Sequence, residues 1–274
     1  MIMKCNAKIN LTLDMVGLRQ DGYHLLRSVM HPIPLCDELT IEKADEISLK
    51  CNIKRIPVDG RNLVCKAAQL FFDKTGIKGG MKAYLNKKTP SGAGLGGGSA
   101  DAASTLRALN EIYEYGAEND LLKAWAVKLG ADVPFFIDNE PALAEGIGEI
   151  LSPCKALPSC KLLLIKPNFS INTKRAYEIL GDYKEPQRSD LLLSALEKGS
   201  WEEIAEAVGN GIQKCIAKEY PEIDNICDTM KNHGAYTSCM TGSGSAVFGL
   251  FPTDSDLMAL KDKYNNYFVF EGNI

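Results

Sequence analysis

From residue 7 to residue 15 the chain alternates without a break. Ala7, Ile9, Leu11, Leu13 and Met15 fall on one face, and Lys8, Asn10, Thr12 and Asp14 fall on the other. A period of two sends successive side chains to opposite faces, so this stretch predicts a strand with one polar face. Asp21-Gly22 is a turn signal. Further strands are expected over residues 39–42, 47–53 and 81–86, with a helix over 62–74 capped by Gly76. Helices are expected over 99–112 and 119–129, the second stopped by Gly130, and the apolar run 133–137 reads as an extended strand.

The proline-spotted stretch 151–158 reads as a connection, which sets an N-terminal domain at 1–155 and a C-terminal domain at 156–274. Beyond it the pattern predicts a strand at 161–166 and helices at 173–180, 190–198, 201–208, 212–218 and 222–232. Strands at 235–240 and 245–251, a helix at 254–264 and a last strand at 267–271 complete the chain. Strand, helices, two strands, helix, strand is the order of a ferredoxin-like domain. The fold class is α+β.

Composition narrows the function classes. With 45% hydrophobic and 24% charged residues the chain is globular. A net charge of −4 gives no global field to gather nucleic acid or an anionic membrane surface. No apolar run has membrane-spanning length, and the first residues lack the continuous apolar core of a signal peptide. Nine cysteines without a Cys-x-x-Cys pair, beside three histidines, read as reduced thiols rather than a disulfide frame or a zinc site. The expected setting is the cytoplasm, as a monomer or homodimer.

The densest feature is Thr89-Pro90-Ser91-Gly92-Ala93-Gly94-Leu95-Gly96-Gly97-Gly98-Ser99, in which five of the seven residues from 92 to 98 are glycine. The loop runs straight into a predicted helix with Ser99 as its N-cap. Free N–H groups and the helix dipole make such a start an anion site, and glycine lets phosphate oxygens come close to the backbone. A flexible turn is the plainer reading, but one Gly-x-Gly would serve for that. Gly-x-x-x-x-Gly-Lys-Ser/Thr is absent. Gly92-x-Gly94-x-x-Gly97 fits the dinucleotide fingerprint, yet mixed strands precede it rather than the first strand of a parallel unit.

This loop resembles the ATP-binding loop of the GHMP kinases. Three further stretches agree, in the family's order: Ala7-Lys8-Ile9-Asn10-Leu11 with Asp21-Gly22-Tyr23-His24; Gly130-Ala131-Asp132-Val133-Pro134-Phe135-Phe136; and Met240-Thr241-Gly242-Ser243-Gly244-Ser245-Ala246. Gly-Leu-Gly-Gly-Gly-Ser in place of the more widespread Gly-Leu-Gly-Ser-Ser looks like the branch that phosphorylates the 2-hydroxyl of a CDP-linked methylerythritol in the non-mevalonate isoprenoid route. The resemblance implies a two-domain fold, an N-terminal mixed domain with a left-handed βαβ unit and a C-terminal ferredoxin-like domain, and it implies ATP and Mg2+ as cofactors. A mevalonate or homoserine type of GHMP kinase, or a non-catalytic GHMP-fold ligand sensor, are the competing readings.

Residue roles follow from the resemblance, each beside a plainer reading. On its residues alone Asp132 is a turn or capping carboxylate, and Lys8 belongs to a solvated strand face. The resemblance makes Asp132 the catalytic base and Lys8 the cation paired with it. It assigns Asn10 to the substrate polyol or its phosphates, and Tyr23 and His24 to the cytosine. Tyr177 becomes the opposing aromatic, although an aromatic at helical spacing is also core. Asn62 and Lys88 become adenine-pocket residues; their plainer readings are a helix N-cap and an exposed charge. Pro90, Gly92, Ala93, Gly94, Leu95, Gly96, Gly97, Gly98 and Ser99 become the phosphate cradle. Thr241, Gly242, Ser243 and Gly244 would close over the substrate diphosphate or the γ-phosphate, where the plain alternative is a hairpin loop. Gly97 and Gly98 leave Ser99 as the loop's one hydroxyl for phosphate or magnesium, and no acidic metal ligand is assigned. His31 and His233 read as structural.

Overall fold

The computed structural model describes residues 1–20, 24–180 and 187–274. Its strands are β1 (Ile2–Asn10), β2 (Thr12–Leu18), β3 (His24–Ala44), β4 (Ser48–Cys51), β5 (Gly80–Asn86), β6 (Ala142–Glu145), β7 (Ile150–Pro153), β8 (Lys161–Lys166), β9 (Gly209–Asn210), β10 (Thr237–Met240), β11 (Val247–Phe251) and β12 (Phe268–Asn273). Ten helices accompany them among the described residues. They are α1 (Leu63–Thr75), α2 (Gly97–Ile112), α3 (Asn119–Ala126), α4 (Phe135–Asp138), α5 (Thr173–Leu180), α6 (Ser189–Lys198), α7 (Trp201–Ala207), α8 (Gln213–Glu219), α9 (Glu222–Asn232) and α10 (Met258–Lys263).

Backbone contacts divide the chain into two compact units. The first is Met1–Ala7, Leu35–Thr89 and Gly96–Glu140; the second is Lys8–Pro34, Pro90–Leu95 and Pro141–Ile274. Both are discontinuous in sequence, and the 155/156 division expected from the proline-spotted stretch falls inside the second.

In the first unit β5 pairs antiparallel with the C-terminal half of β3 and parallel with β4. Helix α1 connects β4 to β5 and packs on α2. Asn62 caps α1, its side chain accepting from Val64 N–H at 2.9 Å, and Gly76 in the left-handed region ends it. Phe71, Phe72, Tyr113, Tyr115 and Trp125 close one end of the core with edge-on and tilted ring contacts.

The second unit carries a four-stranded antiparallel sheet in the order β10-β11-β8-β12. With α9 before β10 and α10 before β12, this is the ferredoxin-like arrangement expected from the element order. Its core joins Leu163, Ile165, Ile226, Met230, Val247 and Phe251 to Leu13 and Met15 of β2. Here too β2 pairs with the first residues of β3, and on its other side parallel with the two residues of β9.

Some local expectations change. The alternating stretch 7–15 is not one strand: it is divided between β1, which ends at Asn10, and β2, which starts at Thr12, with a bend at Leu11. The apolar run 133–137 is not a strand: residues 131–134 form a turn and Phe135–Asp138 a helical turn, with Phe136 N–H bonded to Val133 O and Ile137 N–H to Pro134 O. A short apolar run buries equally well either way, and Asn139 in the left-handed region stops the helix. Helix α2 begins at Gly97, so Ser99 is not its N-cap; Gly96 is, with no side-chain cap bond. Residues 151–153, read as part of a connection, belong to β7 (Ile150–Pro153), which pairs with β6.

Candidate functional site

The predicted site residues fall into two groups, one in each unit. In the second unit the alternating stretch supplies its polar face, which is not solvated. Lys8, Asn10, Thr12 and Asp14 are all buried, Lys8 at 3% exposure. A buried ammonium needs acceptors around it, because its desolvation is costly otherwise. Lys8 Nζ donates to Asn10 Oδ1 at 2.5 Å and to Gly94 O at 2.9 Å. Asn10 N–H donates to Thr241 Oγ1 at 2.9 Å, and Thr241 Oγ1 lies 3.5 Å from both Asn10 Oδ1 and Gly94 O.

Three stretches distant in sequence therefore meet at Lys8: the first strand, the glycine loop, and the loop after β10. The backbone completes the join, with Lys8 N–H on Leu95 O at 3.0 Å and Ala246 N–H on Ala93 O at 3.3 Å. The glycines are needed for it. Gly94 has φ +75, and a Cβ there would lie 2.1 Å from Thr241 O. Gly242 has φ +55, and its Cβ would lie 3.0 Å from Gly94 O. The loop at 241–244 is thus a packed partner of the glycine loop and not a bare hairpin connection. Gly92, with φ +64, lies against Ser170, while Pro90 is half-buried beside it.

Asn210 was invisible to sequence reasoning. It is buried on the two-residue strand β9, and its Nδ2 donates to Met240 O at 2.9 Å and Gly242 O at 2.8 Å, holding the 241–244 loop from below. Strand β9 is too short to leave a period. Ser243 and His24 are half-buried, His24 opening β3 opposite Leu18; Gly244 is buried, its N–H on Thr241 O at 3.0 Å. Tyr23 and the side chain of Tyr177, on α5, lie outside the described residues.

In the first unit the glycine loop becomes the start of α2. Its first intrahelical bond is Ala100 N–H to Gly96 O, so the N–H groups of Gly97, Gly98 and Ser99 precede the helical ladder. Gly98 is exposed and Ser99 half-buried, so this end is accessible to an anion. Asn62 has both side-chain ends engaged, with Val64 N–H and Pro57 O. Lys88 is about half exposed and faces Glu38 at 3.1 Å.

The buried lysine is its neighbour. Lys87 Nζ pairs with Asp37 and with Asp101 at 2.8 Å, directly under the first turn of α2, where a Cβ on Gly97 would lie 3.1 Å from Nζ. Asp37 also accepts from the N–H groups of Lys88 and Thr89. Burial pushes the Asp101 carboxyl up to about 7, against the pull of Lys87. Extending the alternation of Met81, Ala83 and Leu85 by one step would have found Lys87 inward and Lys88 outward. Asp132 is half-buried in the turn before α4. His31 is structural as expected, its Nδ1 on Pro32 O at 2.7 Å and its Nε2 taking Leu157 N–H at 3.4 Å; burial holds its pKa below the usual value.

All nine cysteines are free thiols, and no helix among the described residues is long and apolar enough to cross a membrane. Among the described residues no three or more His, Cys, Asp or Glu side chains stand together as a metal cage.

Known proteins match the chain in both sequence and fold. The GHMP kinases N-terminal domain matches residues 62–140 and the GHMP kinases C-terminal domain residues 192–269. A 4-diphosphocytidyl-2-C-methyl-D-erythritol kinase of Caldicellulosiruptor saccharolyticus is 39% identical over 96% of this chain and 92% of its own length. One from Clostridium botulinum is 39% identical over 98% and 99%. A crystal structure of 4-(cytidine 5'-diphospho)-2C-methyl-D-erythritol kinase superposes with a TM-score of 0.84 at 33% identity, covering 100% of this chain and 98% of that one. Mevalonate kinase of Methanococcus jannaschii shares the fold, with a TM-score of 0.73 at 18% identity. Matched over nearly its whole length by these relatives, the chain belongs to the 4-diphosphocytidyl-2-C-methyl-D-erythritol kinases of the GHMP kinase family.

Proposed function

We infer that the protein transfers the γ-phosphoryl group of ATP to the 2-hydroxyl of 4-diphosphocytidyl-2-C-methyl-D-erythritol, in isoprenoid precursor synthesis by the non-mevalonate route. The observation that carries this reading is the buried Lys8 ammonium, aimed by Asn10 and by the carbonyl of Gly94 in the glycine loop. Phosphoryl transfer asks for positioning and charge neutralisation more than covalent chemistry, and a desolvated, fixed cation supplies both. In this reading Lys8 steadies the attacking hydroxyl and the incoming phosphoryl group, and Asp132 takes the hydroxyl proton.

The N–H groups of Gly97, Gly98 and Ser99 bind ATP phosphate, with residues 90–96 as the approach to them. Magnesium neutralises phosphate charge when bound, and Ser99 is the hydroxyl the loop offers it. Asn62 and Lys88 flank the adenine. Asn10 and the 241–244 loop hold the substrate's polyol and diphosphate, while Tyr23, His24 and Tyr177 hold the cytosine. The substrate is a small molecule, with no nucleic acid or membrane as partner. The free thiols support a cytoplasmic setting, as a monomer or homodimer.

The test is ADP release, followed by coupled assay, with the CDP-linked substrate against mevalonate and homoserine. Turnover with the CDP-linked alcohol alone is expected. Preference for mevalonate or homoserine would overturn the substrate assignment, and binding of ATP and substrate without turnover would make the protein a sensor.

A further inference from the structure

The polar face of the first two strands holds more buried hydrogen-bonding groups than the reaction uses. Ser28, on β3, is 1% exposed, and Thr12, Asp14 and Ser189 are equally enclosed. Their bonds run in a fixed direction. Lys8 is a pure donor, so the amide of Asn10 must turn its oxygen to Nζ. That leaves Asn10 Nδ2, a pure donor, facing Ser28 Oγ at 2.7 Å. Ser28 has a single proton, and it goes to Thr12 O at 2.6 Å. Its oxygen is therefore left to accept from Asn10.

Were Ser28 to donate to Asn10 instead, the amide would have to flip and present N–H groups to an ammonium. The carbonyl that prevents this is itself held: Thr12 Oγ1 accepts Val29 N–H at 2.9 Å and lies 2.9 Å from Ser189 Oγ, which donates to Asp14 at 2.6 Å. We propose that Ser28 is a positioning residue for the kinase reaction, setting the amide orientation of Asn10 and, through it, the acceptor that aims Lys8. This rests on the reading of Lys8 and Asn10 given above. It also assigns a use to the hydroxyl that neither reactant needs to touch.

The test is a double-mutant cycle of Ser28→Ala with Asn10→Ala, on the full chain, with kcat, KM for both substrates and a thermal melt. Removing one buried hydrogen-bond partner is expected to lower kcat about tenfold, with KM for ATP changed less than about twofold. In the Asn10→Ala background the same change should cost less than about twofold, because the residue it acts through is gone. Ser28→Thr, which keeps the hydroxyl, should restore kcat to within about threefold. A merely structural Ser28 would give equal losses in both backgrounds, with a lowered melt and no rescue, and that overturns the proposal. If Ser28→Ala does not fold, Ser28→Cys, close in size but a weak acceptor, is run through the same cycle. Lys8→Ala separates the two claims. Turnover retained there would remove the foundation along with the proposal; turnover lost there, with Ser28→Ala near normal, would sink the positioning role alone.

Discussion

Replacing Gly94 by alanine tests the joint between the glycine loop and the 241–244 loop. Two costs are separable in the structure. The first is conformational: at φ +75 an L-residue pays roughly 1–2 kcal/mol for the left-handed region. The second is steric: the new Cβ would sit 2.1 Å from Thr241 O, and real Cβ atoms stay beyond 3.0 Å, so the two loops must part by about 0.9 Å. Thr241 O is backbone, held by Gly244 N–H, and has no rotamer to yield. Because Lys8 Nζ bonds Gly94 O, the displacement is passed to the ammonium.

A misplacement of about 1 Å at reacting groups costs on the order of 100-fold in rate, so kcat for Gly94→Ala should fall by about that factor. Gly199→Ala is the matched control. Gly199 has φ +70 at the end of α6 with nothing within 4 Å of its Cβ, so it carries the first cost without the second. At about 2–4 °C per kcal/mol, that control should melt roughly 2–8 °C lower and retain full kcat. The assay is coupled ADP release beside a thermal melt for each variant. If Gly94→Ala keeps the kinetics of Gly199→Ala, the loops are not geometrically coupled to Lys8 and the reasoning is refuted.

Asp132→Asn keeps shape but removes proton acceptance, and turnover should drop by about 10²–10⁴-fold while both substrates still bind by calorimetry; near-normal turnover would exclude Asp132 as the base. Tyr23→Ala and Tyr177→Ala should each raise KM for the CDP-linked substrate by roughly five- to 150-fold, at 1–3 kcal/mol per stacked base, and leave KM for ATP alone. A lowered melt without selective substrate loss would make Tyr177 a core residue. Asp101→Asn should remove a pH dependence of stability. The folded carboxyl titrates near 7 and the unfolded one near 3.8, so its contribution is complete below about 3.8 and is lost as pH rises through 7. The variant's melting temperature relative to the parent should therefore climb between about pH 4 and pH 7 and level off above that, and a flat difference would show that the Asp101 carboxyl is not raised in the folded state.

The extended character of residues 7–15, the caps Asn62 and Gly76, and the strand–helix order of the C-terminal domain were legible because each is set by local periodicity or by one residue's backbone preference, whereas the bend at Leu11 that divides 7–15 into β1 and β2 left no local signal. The glycine loop was legible for the same reason: dense glycine has few uses besides close approach to a backbone. What the sequence could not settle was which polar groups are inside. Lys8, Asn10, Thr12 and Asp14 alternate as a solvated face would, yet all are buried, because the 241–244 loop, Ser28 and Ser189 cover them from far along the chain. The alternation of Met81, Ala83 and Leu85 reaches as far as turning Lys87 inward and Lys88 outward, but only the fold brings Asp37 and Asp101 to the first and Glu38 to the second. The run 133–137 was ambiguous because burial alone does not choose between strand and helical turn. Asn210 and Ser28 carry no local signature at all. They act through hydrogen bonds to residues 16 to 32 positions away, and such bonds exist only once the strands have paired.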